Sequence, residues 1–163
     1  MSPSSPFRHL QFPAELACEF FAVYSRFEFA LKECGFRRPG RNGVAEPYWD
    51  KFASEIAEPF SNIQDQDFAE AAKYLLDEPP MRQVIENNTL TWRSLVFENG
   101  ASPAQSVLLA VRTVRNNLFH GGKHTPHSPQ GRDQKLVKAC LTVLEVCLPL
   151  HGQLRDEYET SAF

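Results

Sequence analysis

The chain lacks any apolar run approaching the ~20 residues that a bilayer-crossing helix needs. Its opening, MSPSSPFRHLQF, lacks a basic segment followed by an apolar one, so it does not read as an export signal, and a cytoplasmic protein is expected. Cysteine is sparse. Cys18, Cys34, Cys140 and Cys147 form no CxxC pair, which argues against a zinc ribbon or a thiol redox motif. Cys18 falls in an apolar helical pattern and Cys140 and Cys147 lie one heptad apart, so they read as small core residues of a reducing compartment. A strong charge of one sign is also missing: the net charge is −3 and the pI is near 6.0, against a protein that coats nucleic acid through charge alone. There is no internal repeat, no low-complexity tract and no HExxH zinc motif.

What is present suits one domain spanning residues 1–163, with residues 1–12 expected to be flexible. Hydrophobic residues make up 42% of the chain, and its 13 Phe supply bulky core material. A first helix is expected from Pro13 to Cys34, where Leu16, Phe20, Tyr24, Phe27 and Leu31 form one apolar stripe and Gly35 follows as the stop. The stretch GFRRPGRNGVAEP reads as a loop, whose Arg37, Arg38 and Arg41 are a solvated set or phosphate contacts. Helices follow over Tyr48–Pro59 and Asp65–Leu76. Between residues 81 and 99, Val84-Ile85, Asn87-Asn88, Leu90 and Trp92 allow a short hairpin. The best-signposted helix starts at Ser102, with Pro103 in first position and Gln105 completing a capping box. Val107, Val111, Val114 and Leu118 are its buried stripe, and Gly121-Gly122 closes it. A last helix begins near Arg132, turns Leu136, Cys140, Val143 and Cys147 inward, and is kinked or divided by Pro149. The expected fold class is all-α: a four-helix bundle with extra short elements and loops.

Charge is unevenly placed. Arg112, Arg115, Lys123, Arg132, Lys135 and Lys138, against the single acid Asp133, give residues 111–138 a charge of +5, leaving −8 on the remainder of a chain at −3. His120, His124 and His127 lie in the same stretch. The bland reading is a solvated face, and the sharper one is a site for a polyanion. Arg115 lies about 80° round the helix from Val107, at the edge of the buried stripe. His120 comes at the end of the helix before two glycines, which let the last turn unwind toward Arg115. Glu28 sits about 80° from Phe20 on the first helix. A carboxylate at such a margin needs a partner, and Arg115 or another basic residue is the economical one.

The segment Arg115-Asn-Asn-Leu-Phe-His120, followed by Gly-Gly-Lys, resembles the R-x4–6-H motif of HEPN domains. The helix Phe20-Phe-Ala-Val-Tyr-Ser-Arg-Phe-Glu-Phe-Ala-Leu-Lys32 resembles the first helix of a bacterial HEPN subgroup, and a WDxFA-like segment follows at Trp49–Ala53. The likeness runs from about residue 18 to residue 155. It implies a helical bundle that forms a homodimer, in which two R-x4–6-H motifs make one composite site. Many members of that family are ribonucleases of toxin–antitoxin, abortive-infection or other defence systems, some paired with a nucleotidyltransferase antitoxin. Others have lost activity and bind RNA, a nucleotide or a partner protein.

By that resemblance, Arg115 and His120 would be catalytic in an RNA cleavage that needs no metal and no cofactor. RNA supplies its own nucleophile, the 2′-OH. A histidine exchanges protons at cellular pH, and a fixed guanidinium holds the phosphate oxygens as charge builds on them. Asn116, Lys123, His124 and Glu28 would bind or support substrate. Plain alternatives stand beside these roles: helix surface for Asn116, a solvated loop for Lys123 and His124, a structural ion pair for Glu28. Zinc on His120, His124 and His127 is disfavoured, because Gly121, Gly122 and Pro126 prevent one helix from presenting them together.

Overall fold

The computed structural model describes residues 5–119 and 129–160. Helix dominates: α1 (Ala14–Glu33), α2 (Trp49–Glu55), α3 (Ala57–Ser61), α4 (Gln66–Asp77), α5 (Pro103–Phe119), α6 (Arg132–Cys147) and α7 (Gly152–Thr160). Two antiparallel hairpins interrupt it, β1 (Arg37–Pro39) with β2 (Ala45–Pro47), and β3 (Met81–Glu86) with β4 (Thr89–Ser94). The all-α four-helix bundle expected from the sequence is therefore corrected to a mostly helical fold carrying two small two-stranded sheets.

Local chemistry explains both sheets. In the first, Asn42 and Gly43 take φ of 58° and 77°, reversing a chain that read as plain loop. Arg38 then faces Glu46 across the pair, at 3.5 Å between Nε and Oε2. In the second, Asn87 and Asn88 take φ of 49° and 61°, the left-handed pair that a two-residue hairpin turn demands. Asparagine tolerates that region better than other side-chain-bearing residues.

The helix expected over Tyr48–Pro59 divides at Ile56. Pro59 has no N–H to donate, and its ring clashes with the carbonyl four residues back, so it can only sit in the first turn of a new helix. Pro149 acts similarly. α6 ends at Cys147, a short 3-10 turn spans Leu148–Leu150, and α7 leaves at 114° to the α6 direction. α7 folds back on α1, where Leu154 is fully buried and Arg26 Nε donates to the Tyr158 carbonyl at 2.7 Å.

The predicted α1 and α5 stripes form the centre of the core. Phe20, Tyr24, Phe27 and Leu31 pack with Val107, Val111 and Val114, and with Leu136, Val137, Cys140, Val143, Leu144 and Cys147 of α6. Trp49 stacks on Phe27 at 5.3 Å and 3° between ring planes. Cys18 departs from its expected role, being exposed on α1, whereas Cys140 and Cys147 are buried as read. Phe12 is buried and Leu10 packs on the core, so the lead-in joins the body before α1 begins. Among the described residues, no single helix is long and apolar enough to cross a membrane.

Candidate functional site

The α5 helix carries the motif, and its start is fixed as the sequence indicates. Ser102 Oγ accepts from the Gln105 N–H at 3.2 Å, and Gln105 Oε1 accepts from the Ser102 N–H at 2.8 Å. Two turns of valine then lock the helix into the core, which sets Arg115 at its margin, half-buried. The Arg115 guanidinium lies 5.2 Å from the Tyr24 ring centre and 5.4 Å from that of Phe119. Its Nη1 donates to Asn116 Oδ1 at 3.0 Å. Both aromatic faces attract the cation without neutralising it.

The expected Glu28–Arg115 ion pair does not form, and among the described residues no basic side chain pairs with Glu28. Its Oε1 accepts from the Trp49 indole N–H at 3.0 Å instead, and the carboxylate also meets the Tyr24 hydroxyl. Burial, followed by the Glu28 charge, pushes the Tyr24 phenol far above its ordinary range. Arg115 and Arg112 pull it the other way. Glu28 thus holds Tyr24 and Trp49, and the Tyr24 ring lies against Arg115. The demand for a partner was legible in the sequence. The partner's identity was not, because two neutral donors from α1 and α2 satisfy the carboxylate as well as one cation does.

His120, Lys123 and His124, named with Arg115 from the sequence, lie outside the described residues, as does His127. Asn116 is exposed and next to Arg115 as expected. Of the loop arginines, Arg37 donates to the Lys32 carbonyl at 2.7 Å, closing the end of α1, and Arg38 lies over Tyr48 at 5.3 Å while facing Glu46. These are structural roles.

Two surfaces adjoin Arg115 that sequence reading did not assemble. One is an apolar pocket of about 370 Å³ lined by Phe7, Leu10, Ala17, Cys18, Phe21, Leu118 and Phe119. Phe21 and Phe119 meet there at 5.1 Å, and Phe21 is 53% exposed. The other is a polar groove of about 340 Å³ between α5 and the β3–β4 hairpin, with Arg82, Gln83, Trp92, Arg112 and Asn116 among its walls. Asn117 staples that groove, donating from Nδ2 to the Met81 carbonyl at 2.6 Å. Arg112 Nη1 reaches Asp50 Oδ1 at 3.1 Å. No family model matches the chain, and neither a characterised protein nor a solved structure matches it.

Proposed function

We propose that this chain is a metal-independent endoribonuclease of a toxin, abortive-infection or related defence system, working as a homodimer with Arg115 and His120 as its catalytic residues. The observation that carries the reading is the state of Arg115. Its charge is held by the Tyr24 and Phe119 rings and by the neutral Asn116 amide, with no carboxylate paired to it among the described residues. A structural arginine at a core margin is ordinarily spent on an acid. One fixed by aromatic faces keeps its donors for an incoming anion.

In the proposed reaction the RNA 2′-OH attacks the adjacent phosphorus, the P–O5′ bond breaks, and a 2′,3′-cyclic phosphate and a 5′-OH result. A base takes the 2′-OH proton and an acid returns one to the 5′ oxygen. Two copies of His120, one from each protomer, fill those roles. Arg115 binds the non-bridging oxygens as their charge rises. The apolar pocket around Phe7, Phe21 and Phe119 supports self-association, because it exposes contiguous aromatic surface beside Arg115. The same patch favours a second reading, a non-catalytic dimeric module binding RNA, a nucleotide, an antitoxin or another partner protein.

The test is RNA cleavage in EDTA by the wild type, His120→Ala and Arg115→Ala. Cyclic-phosphate ends from the wild type and none from either variant is the expected result. A folded, dimeric wild type inert on varied RNAs would overturn the enzyme reading in favour of the binding module.

A further inference from the structure

The hairpin groove combines features that the ribonuclease reading does not itself require. Its walls hold two guanidiniums, Arg82 and Arg112, the amides of Gln83, Asn116 and Asn117, the Thr113 hydroxyl and the Trp92 indole; no carboxylate lines it, although Arg112 Nη1 is held by Asp50 Oδ1 at 3.1 Å. Thr113 and Asn117 are spent on backbone carbonyls, at 2.9 Å to Leu109 and 2.6 Å to Met81. Gln83 and Asn116 are exposed and have donors to spare.

The charge pattern on the strands is more telling. Arg82 stands directly opposite Arg93 in the antiparallel register. Like charges in that position destabilise a hairpin. Arg93 is relieved by an ion pair with Glu86, whereas Arg82 has no ion-pair partner among the described residues. Arg82, exposed on its strand, therefore stays an unneutralised guanidinium at the groove wall. Gln83 stands opposite Trp92, which places an amide beside an aromatic side chain, the pair a nucleobase uses for hydrogen bonding and stacking.

Size narrows the ligand. About 340 Å³ lies at the small end of the ~300–1,000 Å³ range of single-ligand sites, enough for one nucleotide and too little for a duplex. Position narrows it further. Asn116 lines the groove and also accepts from Arg115, so the groove opens beside the proposed cleavage point.

We propose that this groove binds one nucleotide of single-stranded RNA next to the scissile phosphate, the base stacking on Trp92 with Gln83 at its edge, and the backbone phosphate on Arg82. The proposal rests on the ribonuclease reading for its orientation, and binding can be measured apart from cleavage. The probe is a fluorescein-labelled 2′-O-methyl hexanucleotide, which carries no 2′-OH nucleophile, titrated into wild type, Arg82→Ala, Trp92→Ala and Trp92→Phe across a salt series. A parallel arm titrates unlabelled uridine monophosphate and follows tryptophan fluorescence, Trp49 being buried and Trp92 half-exposed.

Trp92→Ala is expected to bind the hexanucleotide roughly tenfold more weakly, with Trp92→Phe close to wild type. Arg82→Ala is expected to weaken binding and to lower the slope of log affinity against log salt by about 1. Wild-type affinity and salt slope in both alanine variants would overturn the proposal, as would binding of the free mononucleotide without the oligonucleotide. Loss of groove binding in the variants of a wild type that cleaves nothing would sustain the proposal and sink the ribonuclease reading. Cleavage by a wild type whose groove variants bind normally would do the reverse.

Discussion

The Arg115 guanidinium rests 5.2 Å from the centre of the Tyr24 ring, whose hydroxyl in turn faces Glu28. One phenol thus meets a cation on its ring and an anion at its hydroxyl. Arg115→Ala is expected to reduce RNA cleavage by about 100- to 1,000-fold, the usual loss when a charge-stabilising donor is removed. Arg115→Lys should also be impaired, because an ammonium neither forks across two phosphate oxygens nor lies flat on a ring. Tyr24→Phe keeps the ring and should keep most of the cleavage. Equal loss in Tyr24→Phe and Arg115→Ala would mean that the hydroxyl, not the ring, organises the site.

Tyr24 also predicts a pH dependence of stability. Its phenol is raised above the ordinary value by burial first and by Glu28 second. A group whose pKa is raised on folding gives stability that is fully present below the unfolded value of about 10 and is lost as pH rises beyond it. Urea melts taken at increasing pH should show the wild type weakening by up to about 1.4 kcal/mol per pH unit more steeply than Tyr24→Phe above about pH 10. Parallel curves would show that Tyr24 titrates normally.

Asn88, at φ 61°, occupies backbone that a Cβ makes costly, a cost that Gly escapes and that Asn and Asp bear better than other residues. Asn88→Ala should cost about 1 kcal/mol, and Asn88→Gly should be neutral or stabilising, as the Asn-Gly turn is preferred in two-residue hairpins. Thermal melts distinguish these outcomes. A stabilised Asn88→Ala would mean the hairpin turns differently.

Phe21, half exposed at the mouth of the apolar pocket, tests the dimer. Sedimentation should find the wild type dimeric, and Phe21→Glu monomeric and deficient in cleavage. A wild type that cleaves RNA as a monomer would remove the need for two His120 side chains in one site.

The helices were legible where one pattern dominated. The start of α5 was legible to the residue from its Ser102–Gln105 box, and its inward face from its valines, because capping and burial agree there. β1 and β2 were not legible, since strands of three residues rich in Arg and Pro have no periodicity to read. The break at Ile56 was carried by Pro59 three residues later, a signal that marks where a helix stops only once the carbonyl it clashes with is counted back. Arg115 and Asn116 could be found from the motif. Arg82, Gln83 and Trp92 could not be joined to them, because the groove they share with α5 exists only once the hairpin lies against the helix.

The hairpin is fastened to α5 at one end, where Asn117 grips the Met81 carbonyl, while the Ile85–Leu90 pair beside the turn stands 72% and 65% exposed at the other. The two ends thus face different mutational regimes. Changes at Met81 or Asn117 disturb the helix that holds Arg115, whereas changes near the tip reshape the molecule's outer edge and leave that helix untouched. Sequence at the tip can therefore drift over evolutionary time, while Arg82, Gln83 and Trp92, next to the fastened end, stay tied to the fate of that helix.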